Sequence, residues 1–320
     1  MHIKMGEKLQ PFSHTPGTRS VVPLGHWIVQ AFPTLLCVEG GGEWPLALSG
    51  PIKDFTVQLD LERRCVWVWG IAKEGYFRFS LSAGEEGLAL TVTRAPSEGL
   101  QIGSKRLFRK EKILLVSGGP FLAHPGQERI SLGSFKAQDW DLVQRRMDLK
   151  EMIPALFLLG QQVSALPEAK GGSAELLETD LDAFLQAGFS GLLVPRLSDD
   201  QHQGLVLNTK SEGNTLALLP ALYRKVRSFL LEGVRVLPHL PRDWDCGRAL
   251  RLNTGFGELD LEWSKRTIRR MVLRAQASGE VSFVFSKPVG SFRCGHARFE
   301  NGSAVALTAG KTYLFDRFQK

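Results

Sequence analysis

Between Arg19 and Val116 apolar and polar residues alternate in short runs. Residues 55–61 read Phe-Thr-Val-Gln-Leu-Asp-Leu, and residues 76–81 read Tyr-Phe-Arg-Phe-Ser-Leu. A period of two sends successive side chains to opposite faces of a sheet, so these runs are strands with one buried face. Residues 27–32, 35–38, 65–71 and 88–93 carry the β-branched and aromatic side chains that suit a pleated surface. Turn-forming clusters separate them: Gly40-Gly41-Gly42, Gly50-Pro51, Glu62-Arg63-Arg64, Glu74-Gly75 and Gly84-Glu85-Glu86-Gly87. Short strands at this spacing predict an antiparallel meander and a β-sandwich-like domain over residues 1–132.

The period then changes. Trp140, Val143, Met147 and Met152 fall at helical spacing and predict a helix over 139–152, with Pro154 ending or kinking it. A second helix is expected over 174–187, between Ser173 as N-cap and Gly188, and a third over 216–231, closed by Gly233. Residues 189–196 fit one buried strand, and 166–172 and 211–214 have linker composition. The segment 133–232 is thus read as helical. Strands return after Val234, at 259–263, 267–273, 281–285, 297–299 and 305–307. Asn301-Gly302 predicts a hairpin between the last two, since both residues tolerate positive φ. The same residues open an Asn-Gly-Ser glycosylation sequon, but no leader points to secretion and the hairpin reading takes precedence. The fold class expected is mainly β with an α-helical segment: N-terminal sandwich, helical middle, and a C-terminal sandwich over 233–320.

Composition narrows the function classes. With 320 residues and 43% hydrophobic content, the chain can bury a large core. A net charge of +7 permits an anionic partner without requiring one. Residues 1–10 are polar and precede no apolar stretch, and the run Ile153 to Leu159 is far shorter than a membrane span. A soluble, cytoplasmic protein with no membrane span is the expectation. Cys37, Cys65, Cys246 and Cys294 lie far apart without a Cys-x-x-Cys pair, which fits free thiols better than zinc or disulfides. The seven histidines show no metal-ligand spacing, and no Gly-x-Ser-x-Gly elbow or P-loop is present. No metal and no cofactor are expected.

One long segment carries a family resemblance. Residues 234–263 place Leu237, Pro238, Leu240, Pro241, Trp244, Gly247, Leu250, Gly255, Phe256, Leu259, Asp260 and Trp263 in order. That order resembles the segment of family 95 α-L-fucosidases that leaves the helical barrel and enters the C-terminal β-sandwich. Gly257 adds one residue to the pattern, which a β-bulge would absorb. The resemblance covers roughly 216–286. It implies a C-terminal sandwich, and by chain order an N-terminal part like that family's β-supersandwich. In the family an (α/α)6 barrel between the two carries acid and base. The interval 133–232 is too short for such a barrel and matches none of its catalytic motif, so no catalytic residue is carried over.

Other carboxylates have plainer readings. Asp139, Asp141, Asp148 and Glu151 alternate with Arg145 and Arg146, as on a salt-bridged helix face. Asp243, Asp245, Glu258, Asp260 and Glu262 lie in the fucosidase-like segment, where packing and turn roles are expected. Two surface candidates remain. Trp67 and Trp69 share one strand face: turned outward they form a platform for a sugar ring, turned inward they are core. Lys105, Arg106, Arg109 and Lys110 surround Phe108 in a basic run that either grips a polyanion or shields a solvated edge. The expected function is a glycoside-hydrolase-like protein, non-catalytic, that binds carbohydrate or a protein partner. The alternatives are an active glycosidase with unidentified carboxylates, and a polyanion-binding protein, with nucleic acid the least expected partner.

Overall fold

A computed structural model describes residues 3, 10–123, 127–133, 149–167 and 215–320. The helix expected at 174–187, the strand at 189–196 and the acidic residues Asp139, Asp141 and Asp148 lie outside the described residues. The chain is mainly β and divides into two compact units. One comprises Lys8–Pro125 and Asp139–Ala221, the other Met1–Glu7, Gly126–Gln138 and Leu222–Lys320.

In the first unit the strands are β1 (Phe12–Ser13), β2 (Arg19–Val21), β3 (Ile28–Ala31), β4 (Leu35–Val38), β5 (Gly42–Pro45) and β6 (Lys53–Asp60). They continue with β7 (Cys65–Ala72), β8 (Gly75–Gly84), β9 (Gly87–Arg94), β10 (Leu100–Ile102), β11 (Lys105–Leu107) and β12 (Lys112–Ser117). Six form an antiparallel sheet in the order β1-β6-β7-β8-β9-β12, and β2 to β5 form a four-stranded sheet. The predicted alternation has its physical counterpart in burial. Val57, Leu59, Val66, Val68, Phe77, Phe79, Leu81, Leu90 and Val92 are fully buried on one face of the large sheet. Each such side chain contributes about 1.5–3 kcal/mol relative to exposure. The turn after β8 needs glycine: Gly87 has φ +132°, and a Cβ there would lie 2.0 Å from the Val116 carbonyl oxygen of β12. Helix α1 (Leu149–Val163) also belongs to this unit, and its residues 155–163 are buried on every side. Pro154 neither ends nor begins it. It sits in the helix interior, where burial of the apolar turns beyond it outweighs one missing N–H. Gln162 Nε2 donates to the Leu61 carbonyl just past β6, at 3.2 Å.

The second unit begins with β13 (Arg129–Leu132) and, after helix α2 (Thr215–Leu230), continues through short strands β14 (Leu231–Glu232) and β15 (Arg235–Val236). There follow β16 (Cys246–Thr254), β17 (Gly257–Ser264), β18 (Thr267–Ala275), β19 (Gly279–Val281), β20 (Val284–Phe285), β21 (Ser291–Cys294), β22 (Ala297–Glu300), β23 (Val305–Leu307) and β24 (Thr312–Gln319). Seven strands make one sheet in the order β13-β16-β17-β18-β24-β21-β22. Thus residues 129–132, though early in the chain, pair with β16. Trp244 and Trp263 are both buried, and Trp263 Nε1 donates to the Trp244 carbonyl at 3.0 Å. Phe229 meets Trp244 edge-on at 5.7 Å. Gly247 is the residue that admits the Trp263 ring, for a Cβ there would approach it to 2.3 Å.

Three local expectations are corrected. Gly257 forms no bulge: it starts β17 directly after the two-residue turn Gly255-Phe256, and the irregularity falls instead between Ala249 and Leu252, where Arg251 has φ +58°. The apolar run 281–285 is two strands, because β19 pairs with β23 while β20 pairs in parallel with β15. Asn301-Gly302 does not join a hairpin, since β22 pairs with β21 and β23 with β19. The Asn301 amide explains why. Its Oδ1 accepts from Phe285 N at 2.8 Å and its Nδ2 donates to the carbonyls of Phe285 and Val289 at 2.9 Å, pinning the chain as it changes sheets.

Candidate functional site

The face of the six-stranded sheet opposite its buried layer is built in rows by cross-strand register. In one row Phe12, Gln58, Trp67, Ser80 and Thr91 are neighbours from β1 to β9. In the next, Thr56, Trp69, Arg78 and Arg94 stand side by side. In a third, Lys53, Ile71 and Tyr76 do so. Trp67 and Trp69 therefore share a face, as their spacing requires, but their environments differ. Trp67 is 9% exposed, whereas Trp69 is half-buried and Ile71 and Tyr76 beyond it are 40% and 41% exposed. The face is sealed at the Trp67 end and open at the Tyr76 end.

Asp60 organises the sealed end. Its carboxylate is 1% exposed and accepts from Gln10 Nε2 at 2.8 Å, from the Arg63 backbone N–H at 2.9 Å, and from Trp67 Nε1 at 3.2 Å. The bond to Arg63 N closes the β6–β7 turn, and the bond to Trp67 fixes the indole. Cys65 lies opposite Asp60 in register. Burial, then the Asp60 charge, pushes its thiol up to about 12, so it is protonated at neutral pH.

Arg78 occupies the space between the two tryptophans. Its guanidinium carbon lies 4.2 Å from the Trp67 ring centroid and 5.5 Å from that of Trp69. Arg63 approaches Trp67 from another side, at 6.0 Å. Each cation–π contact is worth about 0.5–1 kcal/mol at an exposed site and about 2 when desolvated. Arg78 Nε is buried without a hydrogen-bond partner, and no ion pair to Arg78 occurs among the described residues. Sequence reading identified the two tryptophans but not Arg78, Asp60 or Tyr76. The alternation of residues 76–81 marks Tyr76 and Arg78 as sharing a face, yet nothing local says that β8 sets Arg78 opposite Trp69.

The basic candidates meet this sheet at β9, where Lys110 N donates to the Val92 carbonyl at 2.7 Å. Lys105 and Arg106 lie on β11, and Arg109 and Lys110 follow it, all four exposed. Leu107 is buried beneath them while Phe108 is 48% exposed, so one side chain anchors the run and the rest is solvated. Glu111 accepts from Phe108 N at 2.8 Å, and Lys112 pairs with Glu86 at 3.8 Å beside an open hollow of about 430 Å³ at the β8–β9 turn. Glu258, Asp260 and Glu262 serve the second unit's sheet. Asp260, 1% exposed, takes the Arg274 guanidinium and the Arg251 N–H at the irregularity in β16. Glu258 pairs with Arg274, and Glu262 with Arg248 and Arg270. Glu128, also buried, accepts from Tyr223, Arg227 and the Asn253 N–H. Among the described residues no three His, Cys, Asp or Glu side chains are grouped to hold a metal ion. No helix among them is long and apolar enough to cross a membrane.

Comparison with known proteins adds no relative. No protein family, no curated protein and no solved structure matches the chain. The functional reading therefore rests on the geometry above.

Proposed function

We propose that the protein is glycoside-hydrolase-like in descent, is built of two β-sandwiches, and binds carbohydrate without cleaving it. The observation that carries this reading is the open strip Trp69, Ile71 and Tyr76 beside the wedged Arg78. An aromatic surface takes the C–H face of a sugar ring, and an arginine beside it supplies hydrogen bonds to the ring substituents. Asp60, the carboxylate beside Trp67, is sealed and already accepts three hydrogen bonds. Glycoside hydrolysis needs two carboxyl groups flanking the scissile bond, and each acid or base role contributes about 10²- to 10⁴-fold in rate.

A glycan array followed by titration of tryptophan fluorescence tests the reading. Binding to at least one oligosaccharide class is expected, weakened at least about tenfold in Trp69→Ala and in Tyr76→Ala, with thermal stability of both near that of the parent. No turnover of aryl fucosides, galactosides or glucosides is expected. A silent array, or turnover abolished by changing one carboxylate to its amide, overturns the proposal.

A further inference from the structure

The placement of Arg78 leads past a neutral sugar. The Arg78 guanidinium lies near two indoles, is half-buried, and has no carboxylate partner among the described residues. Its surroundings add positive charge. Arg94 is its direct partner in β9, Arg63 lies over Trp67, and Lys53 stands opposite Ile71. Like charges placed opposite one another across a sheet repel, and Arg78 with Arg94 is such a pair. Asp60 offsets part of this, since its carboxylate pairs with Arg63 at 3.9 Å, but its oxygens are engaged by Gln10, Arg63 and Trp67 and make no hydrogen bond to Arg78. What the arrangement lacks is an anion at the guanidinium edge. The guanidinium is a planar fork of N–H donors, which matches the two oxygens of a carboxylate.

We propose that this face binds an acidic carbohydrate, a uronic-acid-containing oligosaccharide, with Arg78 gripping the carboxylate and the Trp69–Tyr76 strip carrying the ring. The inference rests on the carbohydrate reading given above and deepens it. A uronic acid residue joins an apolar ring face to one planar anion within a single sugar, which is the pairing of surfaces found here over the 5.5 Å from the Arg78 guanidinium to the Trp69 ring. A single-stranded nucleic acid would also offer stacking and anions. It gains affinity chiefly from cations tracking successive phosphates; here Lys105 to Lys110 lie on β11 and the loop after it, and of this run Lys112 alone, opposite Thr91, continues a row of this face, with its ammonium 3.8 Å from Glu86.

The experiment uses the full chain and matched pairs of ligands: oligomers of galacturonate, glucuronate and mannuronate, each beside its methyl ester, titrated calorimetrically at low and physiological salt. For at least one pair the free acid is expected to bind tenfold or more tighter than the ester, since a hydrogen bond to a charged group is worth roughly ten- to a hundredfold. This comparison needs no variant and no assumption about folding. Arg78→Gln should level acid and ester, and Arg78→Lys, which keeps the charge but not the fork, should recover only part of the difference. Equal binding of acid and ester overturns the acidic-ligand inference and leaves the carbohydrate reading standing. If neither member of any pair binds and neutral oligosaccharides are also silent, the carbohydrate reading falls and takes this inference with it. Poly-uridylate that binds more tightly than every uronide and competes with them makes the face a nucleic-acid site and overturns both.

Discussion

At the scale of single residues, small local bonds determine what each side chain is able to do. Asp60 looks from sequence like the polar half of an alternating strand. In the structure it closes a turn, holds an indole and raises the neighbouring thiol. The Cys65 shift has a pH consequence. Its folded-state pKa, about 12, lies above the usual thiol value of about 8.5. The native state therefore keeps the proton where the unfolded chain releases it. The resulting stabilisation is fully present below about pH 8.5 and is lost as pH rises toward 12, at no more than about 1.4 kcal/mol per pH unit. Thermal unfolding followed from pH 8 to about 11 should show a steeper alkaline loss in the parent than in Cys65→Ala. Parallel curves would mean that Cys65 ionises freely in the folded protein. Cys294, pushed up to about 11 by burial and by Asp316, titrates in the same window, which is why the difference between the two proteins is the quantity to read.

At the scale of elements, the seven-stranded sheet is held by aromatic packing on one side and by paired charges on the other. Phe283, Phe285, Phe292 and Phe315 make edge and tilted contacts at 5.1–6.4 Å. On the charged side, register aligns Arg248 with Glu262, Glu262 with Arg270, and Asp316 with Arg293. The Arg293 guanidinium holds the Asp316 carboxyl below the usual carboxylate range, with Arg270 adding to the effect. Alternating charges across strands penalise a one-residue slip, because a slip would turn them onto the apolar face. Packing still dominates the energy, since half-exposed ion pairs contribute only about 0–1 kcal/mol each. Trp263 is where that matters most, being 1% exposed and seated over Gly247. Trp263→Ala is expected to cost about 3–5 kcal/mol, read as a fall in the urea midpoint with little change in slope. An unchanged midpoint would place Trp263 outside the core.

At the scale of the whole molecule, a net charge of +7 is modest for 320 residues. Many arginines of the second unit are committed to carboxylates, and the run 105–112 is a solvated edge with Lys112 paired to Glu86. Nucleic-acid binding at physiological salt is accordingly expected to be weak. Neutralising Lys105, Arg106, Arg109 and Lys110 should change it little, as read by fluorescence anisotropy across a salt series. A tight complex whose salt slope falls by about one per cation removed would reverse that expectation.

How much of this was legible beforehand follows from the range of the forces involved. The strands at 35–38, 65–71, 76–81, 88–93 and 305–307 could be read because a period of two and the turns beside it are properties of neighbouring residues. So could the burial of Trp244 and Trp263, through a pattern confined to one segment. Pairing is different, because it joins residues far apart in the chain. Asn301-Gly302 has good hairpin chemistry, yet its strands found other partners, and the Asn301 amide bonded to Phe285 and Val289 instead. The 281–285 run split for the same reason. The sequence by itself determined the mainly β character and the sharing of one strand face by Trp67 and Trp69. Only the tertiary structure decided that one indole is sealed and the other open, and that Arg78 lies between them, because register and burial are set by cross-strand contacts that no local pattern encodes.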